Sequence, residues 1–241
     1  MHEAADADLE GYRDPEGTAR RLAEMLHDHG VGEPEIKELT AYEDWRPFVS
    51  RVADANRELK GGERFTAGER QWEIVCTPGH SAAHVCLWSP SDRILMSGDH
   101  LLGAITPHID FRRGDENPLG DFLASLEKVE ALAPDLVLPG HGRPFEDGAA
   151  RARVVARHHD RRLGSILQVI RNEPHSADEI TDEIFGNTLL DFEKRLALGE
   201  ALAHIAYLRL QGDIERIEGR DGTLRYRKVR RRRGSDDEGD E

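Results

Sequence analysis

Apolar positions along the chain follow two periods, and the switches between them mark its elements. Asp14-Pro15-Glu16, followed by apolar Ala19, Leu22, Met25 and Leu26, predicts a capped amphipathic helix that ends near Gly30. Residues 31–70 mix polar loop with helix-like pieces, and Trp45, Phe48 and Val52 are their core candidates. The pattern then shortens to strands. Gln71 to Cys76 closes on Thr77-Pro78-Gly79-His80, His84 to Trp88 turns at Ser89-Pro90-Ser91-Asp92, and Arg93 to Ser97 ends at Gly98-Asp99. A helix from about Leu119 to Leu132 carries Phe122, Leu126, Val129 and Leu132 on one face. Pro134 stops it, and the short apolar strand Leu136-Val137-Leu138 runs into Pro139-Gly140-His141-Gly142. The order β, β, β, α, β predicts an α/β layered domain over residues 1–147, in which strand ends deliver functional side chains.

The character changes at Gly148. A long helix, Arg151 to Arg171, precedes a short one, Ala177 to Phe185, capped by Pro174-His175-Ser176. A third helix runs from about Asp191 to Gln211 and ends at Gly212. Two alternating runs then flank Gly219-Arg220-Asp221-Gly222, whose Asp-Gly pair signals a hairpin. Three helices and a hairpin predict a small winged-helix domain over residues 148–229. Residues 230–241 read as a disordered charged tail.

Composition limits the setting. With 38% apolar and 33% charged residues the chain can bury a core beneath a very polar surface. No run approaches the roughly 18 apolar residues of a membrane span, and the first residues carry neither a basic n-region nor an apolar h-region. Cys76 and Cys86 fall on neighbouring strands and read as small buried hydrophobes, so a cytoplasmic setting is expected. The net charge of −14 argues against attraction of the whole surface to polyanions, although basic residues dominate from Arg216 to Arg233.

Three loops each present a metal-ligand side chain just after a predicted strand: Thr77-Pro78-Gly79-His80, Ser97-Gly98-Asp99-His100 and Pro139-Gly140-His141-Gly142. A glycine beside each ligand allows a sharp turn and a close backbone approach. Imidazole and carboxylate suit zinc, iron or manganese in a hydrolytic site. His84 and His100 are candidates to orient ligands from behind, His84 reads equally as a buried strand residue, and His100 and His108 could instead line a cleft. His158, His159, His175 and His204 are expected to cap or pack.

In this order the three loops resemble the later motifs of the metallo-β-lactamase superfamily. The resemblance implies an αββα sandwich and a dinuclear hydrolase, with His80 on the first metal, His141 on the second, and Asp99 bridging both. It also implies two divalent ions, zinc with iron or manganese as alternatives, and an ester, thioester or RNA phosphodiester as substrate. The family's earlier His-x-His-x-Asp-His motif has no counterpart here, which makes the implied sandwich N-terminally incomplete. The nearest approach, His27-Asp28-His29, sits at a helix C-terminus, where histidines favour the helix dipole. Three ligands give each ion only about two, one of them shared, whereas zinc sites take three or four. Weak metal binding and weak hydrolysis are therefore expected. Either the start was assigned too late or the chain is a non-catalytic relative. The intactness of all three later ligands favours the first.

Ser165 to Tyr226 resembles the winged-helix domain appended to the branch that includes β-lactamase-like endoribonucleases. Lys194, Arg195, Arg216, Arg220, Arg225, Arg227 and Lys228, with Arg230 to Arg233 after them, are candidate phosphate contacts on such a domain. The competing readings are that the domain walls the active-site cleft or mediates oligomerisation. A non-catalytic winged-helix protein that binds nucleic acid is the alternative to the hydrolase.

Overall fold

Six strands form one sheet in chain order: β1 (Arg64–Ala67), β2 (Arg70–Cys76), β3 (Val85–Ser89), β4 (Ile94–Gly98), β5 (Leu136–Pro139) and β6 (Phe145–Glu146). The computed structural model describes residues 5–41, 58–111 and 117–229, apart from the side chains of residues 6–8 and 10. Trp45, Phe48, Val52 and the tail 230–241 lie outside the described residues.

The pairings are antiparallel except for β4 and β5, which run parallel, with Leu95 opposite Val137 and Gly98 opposite Pro139. Two antiparallel steps separate β2 from β4, so β2, β4 and β5 all point the same way. Their C-terminal ends, which carry the three candidate ligand loops, lie at one end of the sheet. Open α/β sheets characteristically place their sites at the carboxyl ends of their strands.

The pleat divides the side chains of the sheet. Cys86, Trp88 and Leu95 join the main core with Phe122, Leu126 and Val129 of α4 (Pro118–Leu132) and Val155 of α5 (Gly148–Val169). Val85, Leu87 and Met96 face the other way and, with Phe65, line an apolar cleft of about 490 Å³. Met96 is 41% exposed there. The crossover between β4 and β5 explains its helix: Asn117 accepts a hydrogen bond from the Gly120 N–H, Pro118 opens the first turn, and Ala133 ends the helix with a left-handed φ of 46°.

The C-terminal elements are α5, β7 (His175–Ser176), α6 (Ala177–Phe185), α7 (Asp191–Leu210), β8 (Ile214–Glu218) and β9 (Leu224–Lys228). Their sheet has the order β7-β9-β8, so the sequence-predicted hairpin gains a third strand. Ser176 caps α6 in a reciprocal capping box with Glu179.

The N-terminal helices α1 (Ala5–Arg13), α2 (Pro15–Asp28) and α3 (Glu33–Thr40) precede the six-stranded sheet. Leu22 and Leu26 of α2 and Ile36 and Leu39 of α3 enter one core with Leu198, Leu202 and Tyr226. His29 stacks on Tyr226 and meets its hydroxyl at 3.0 Å, and Lys194 of α7 reaches Glu35 of α3 at 2.8 Å. The helices preceding the sheet therefore seat on the elements following it.

Candidate metal centre

The two parallel strands β4 and β5 bring Asp99 and His141 together. Their loops are joined by the Gly140 N–H, which donates to the Gly98 carbonyl at 2.7 Å. His141 Nδ1 donates to Asp99 Oδ1 at 2.6 Å, and Asp99 Oδ2 lies 3.9 Å from His80 Nε2. Each carboxylate oxygen thus faces a different imidazole. The His80 and Asp99 side chains are about one-third exposed and His141 is 73% exposed, so the group opens to solvent.

Packing beneath the loops holds them in place. Gly79 has φ +135° and sits directly on Phe122, where a Cβ would come within 2.4 Å of the Phe122 Cβ. Ser125 Oγ donates to the Pro78 carbonyl at 2.9 Å, fixing the same loop to α4. His80 Nδ1 donates to the His108 carbonyl at 2.7 Å. That bond settles its tautomer and leaves Nε2, the nitrogen facing Asp99, with a lone pair.

His84 lies between two ligand loops. Its Nδ1 is 2.7 Å from Thr77 Oγ1, and its Nε2 lies where a Cβ on Gly98 would meet it at 2.8 Å. His100 is fully buried, packed against the rings of His84 (5.9 Å between centroids) and Phe122 (5.0 Å). Burial, helped by the nearby His84 and His80, pulls its pKa down to about 3 and keeps the ring neutral. The alternative that His100 lines a cleft is therefore corrected: its ring is packing beneath the loops. Thr77 and the His108 carbonyl were missed by sequence reasoning. Thr77 sits inside the first ligand motif, a usable signal, whereas nothing in the sequence pairs His80 with a backbone carbonyl 28 positions away.

His27, Asp28 and His29 do not join this group. They end α2, where the His29 ring is 7% exposed against Tyr226. A cleft of about 400 Å³ beside them is lined by Arg21, Arg209, Arg216 and Leu202 among others, and by none of the three candidate ligands.

Two of the candidate phosphate contacts are also corrected. Arg195 is buried, and its guanidinium makes two 3.1 Å hydrogen bonds to Asp110. Lys194 lies among Glu35, Asp178 and Asp182 at 2.8, 2.9 and 3.4 Å. Those hydrogen-bonded carboxylates hold its pKa above the ordinary lysine value despite burial, and they leave no face of the ammonium for a phosphate. On the hairpin, Arg225 pairs with Glu179 and Arg227 with Glu215, each at 2.8 Å.

Residues 12–141, more than half of the chain, match the metallo-β-lactamase superfamily. The chain belongs to that superfamily. Residues 163–229 match a metallo-β-lactamase-like C-terminal domain. Among solved structures, a β-lactamase domain protein from Burkholderia ambifaria is 36% identical, with a TM-score of 0.79 over 85% of this chain and 60% of that one. A metallo-β-lactamase family protein from Thermus thermophilus is 27% identical, with a TM-score of 0.78 over 95% of this chain and 71% of that one. A probable metallo-hydrolase of Bacillus subtilis is 25% identical over 192 residues, 78% of this chain and 57% of that protein. The chain spans between 37% and 58% of the length of the curated relatives it matches. The superfamily member therefore has a mixed α/β fold, and its relatives include hydrolases. Among the described residues no helix is long and apolar enough to cross a membrane.

The donor set fits the divalent ions of this superfamily. Two imidazoles and one carboxylate on adjoining loops are donor types that hold divalent ions in hydrolytic sites.

Proposed function

We propose that this chain carries part of the metal centre of a dinuclear hydrolase, in which His80 holds one ion, His141 the other, and Asp99 both. The observation that carries this reading is the position of the Asp99 carboxylate, with His141 on one oxygen and His80 on the other. When bound, two divalent ions lower the pKa of a water and stabilise charge developing on an attacked carbonyl or phosphoryl group. The chain's own residues do the positioning. The His108 carbonyl fixes the His80 tautomer, Phe122 and Ser125 hold the loop, and His84 separates the first two loops. The substrate class is an ester, thioester or phosphodiester, since the same core serves all three.

These three loops supply about two ligands per ion, and a complete site needs donors beyond them. The C-terminal elements are read as a winged helix with β8 and β9 as its wing. The placement of Lys194 and Arg195 argues against phosphate contacts at the start of α7, and the hydrolase reading is preferred over the nucleic-acid one.

The test uses the 241-residue chain with added zinc, manganese or ferrous iron. Hydrolysis of an aryl ester, an acyl thioester and an aryl phosphodiester is followed with and without Asp99→Asn. Metal-stimulated turnover of at least one substrate is expected, and Asp99→Asn should reduce it at least tenfold while far-UV circular dichroism is unchanged. Turnover indifferent both to metal and to Asp99→Asn would sink the proposal.

A further inference from the structure

A second group of metal-ligand side chains lies where α5 crosses α7. His159 of α5 and Glu200 and His204 of α7 each offer a ligand atom, and all three atoms lie within 4.8 Å of one another. Among the described residues this is the one group of three or more histidine, cysteine or carboxylate side chains gathered so tightly. None of the three belongs to the ligand loops.

The hydrogen bonding leaves one ring nitrogen of this group without a partner. His204 Nδ1 donates to the Glu200 carbonyl at 2.7 Å, so its Nε2 carries a lone pair directed at His159 Nδ1, 3.1 Å away. His159 Nε2 is buried without a partner. The Glu200 carboxylate meets Arg162 only at 3.8 Å, beyond hydrogen-bonding range, although its side chain is just 15% exposed. Burial keeps both rings neutral, His159 with its pKa near 3 and His204 near 4, and raises that of Glu200. Two neutral imidazoles and a partly buried carboxylate thus converge, with the Arg162 guanidinium 3.8 Å from the carboxylate. Neutral imidazole is the form that ligates metal, and the backbone bond on His204 is the usual means of aiming its free nitrogen. Zinc–nitrogen bonds of about 2.0–2.1 Å at a tetrahedral angle put two ligand nitrogens about 3.3 Å apart, close to the separation seen here.

We propose that His159, Glu200 and His204 form a separate divalent-cation site of the zinc class, with its fourth position left to water. His204 binds through Nε2. His159 binds through Nδ1, its proton moving to Nε2 of the same ring, and Glu200 binds through a carboxylate oxygen. Arg162 works against the ion, so the affinity falls short of a closed four-ligand site. The ion ties α5 to α7. It also fixes His159 against Phe122, at 5.4 Å between ring centroids, and Phe122 is the side chain on which the Gly79-His80 turn rests. The site stands independently of whether the ligand loops hold metal.

The experiment separates the two sites. The 241-residue chain carrying His80→Ala, Asp99→Ala and His141→Ala is stripped with a chelator and titrated with zinc alone against a chromophoric competitor. One ion per chain is expected. Adding His159→Gln or Glu200→Gln should weaken it at least tenfold, with thermal unfolding in the absence of metal little changed. Cobalt should give intense tetrahedral visible bands in the triple variant and lose them with either addition. Should His159→Gln fail to fold, the near-isosteric Glu200→Gln decides alone. Absence of zinc uptake by the triple variant, or an affinity indifferent to both added substitutions, overturns the proposal.

Discussion

Gly79 shows how closely the candidate centre is built into its support. An added methyl would meet the backbone and Cβ of Phe122 at 2.4–2.7 Å, at a φ of +135° that side chains rarely adopt. Gly79→Ala should destabilise the fold by roughly 2–4 kcal/mol, combining overpacking with backbone strain. Urea unfolding measures this, and a change below about 1 kcal/mol would mean that the turn relaxes away from α4. The three candidate ligand residues were legible in the sequence because each follows a strand and a glycine. The buried ion pair of Arg195 with Asp110, 85 positions apart, was not legible, because a helical position reads as exposed until the partner that buries it is known. His159 and His204 were expected to pack, and they do, but their joint presence with Glu200 emerges only from the crossing of two helices.

At the scale of elements, the long helices and the central strands followed from period and caps, and their ends fall within a few residues of expectation. The short pairs β1, β6 and β7 did not, because two to four residues carry too little alternation to stand out from loop. β7 and α6 meet at Ser176, which pairs with Arg225 in the sheet while its side chain caps the helix. Glu179 closes the capping box and also binds the Arg225 guanidinium, so cap and sheet share one carboxylate. Ser176→Ala should cost about 1 kcal/mol of stability. Amide exchange should show faster opening at the start of α6 than at its end, and uniform acceleration along the helix would count against a local cap.

For the whole molecule, acid stability is set in part by the seat of α2. Burial lowers the His29 pKa to about 4, with Asp28 opposing and Arg216 and Arg209 assisting, while Tyr226 faces the ring. Unfolded, the same ring titrates near 6.5, so below that pH the unfolded chain binds a proton the folded chain refuses. The contribution is intact above about pH 6.5 and is lost as the pH falls toward about 4, at up to about 1.4 kcal/mol per pH unit. His29→Gln, which keeps an acceptor for the Tyr226 hydroxyl, should flatten the acid limb of the urea midpoint by up to about 3 kcal/mol across that window. Parallel acid limbs in the two proteins would show that His29 protonates without unfolding.

The bond between His29 and Tyr226 joins residues 197 positions apart. During synthesis β9, against which α2 rests, emerges long after that helix. The apolar stripe of Leu22 and Leu26 waits uncovered while the intervening chain is made, so the nascent chain passes through a long interval in which that helix is open to chaperones or to wrong partners. Slow synthesis of the segment between them would lengthen that interval, and the yield of folded protein then depends on how quickly β9 arrives.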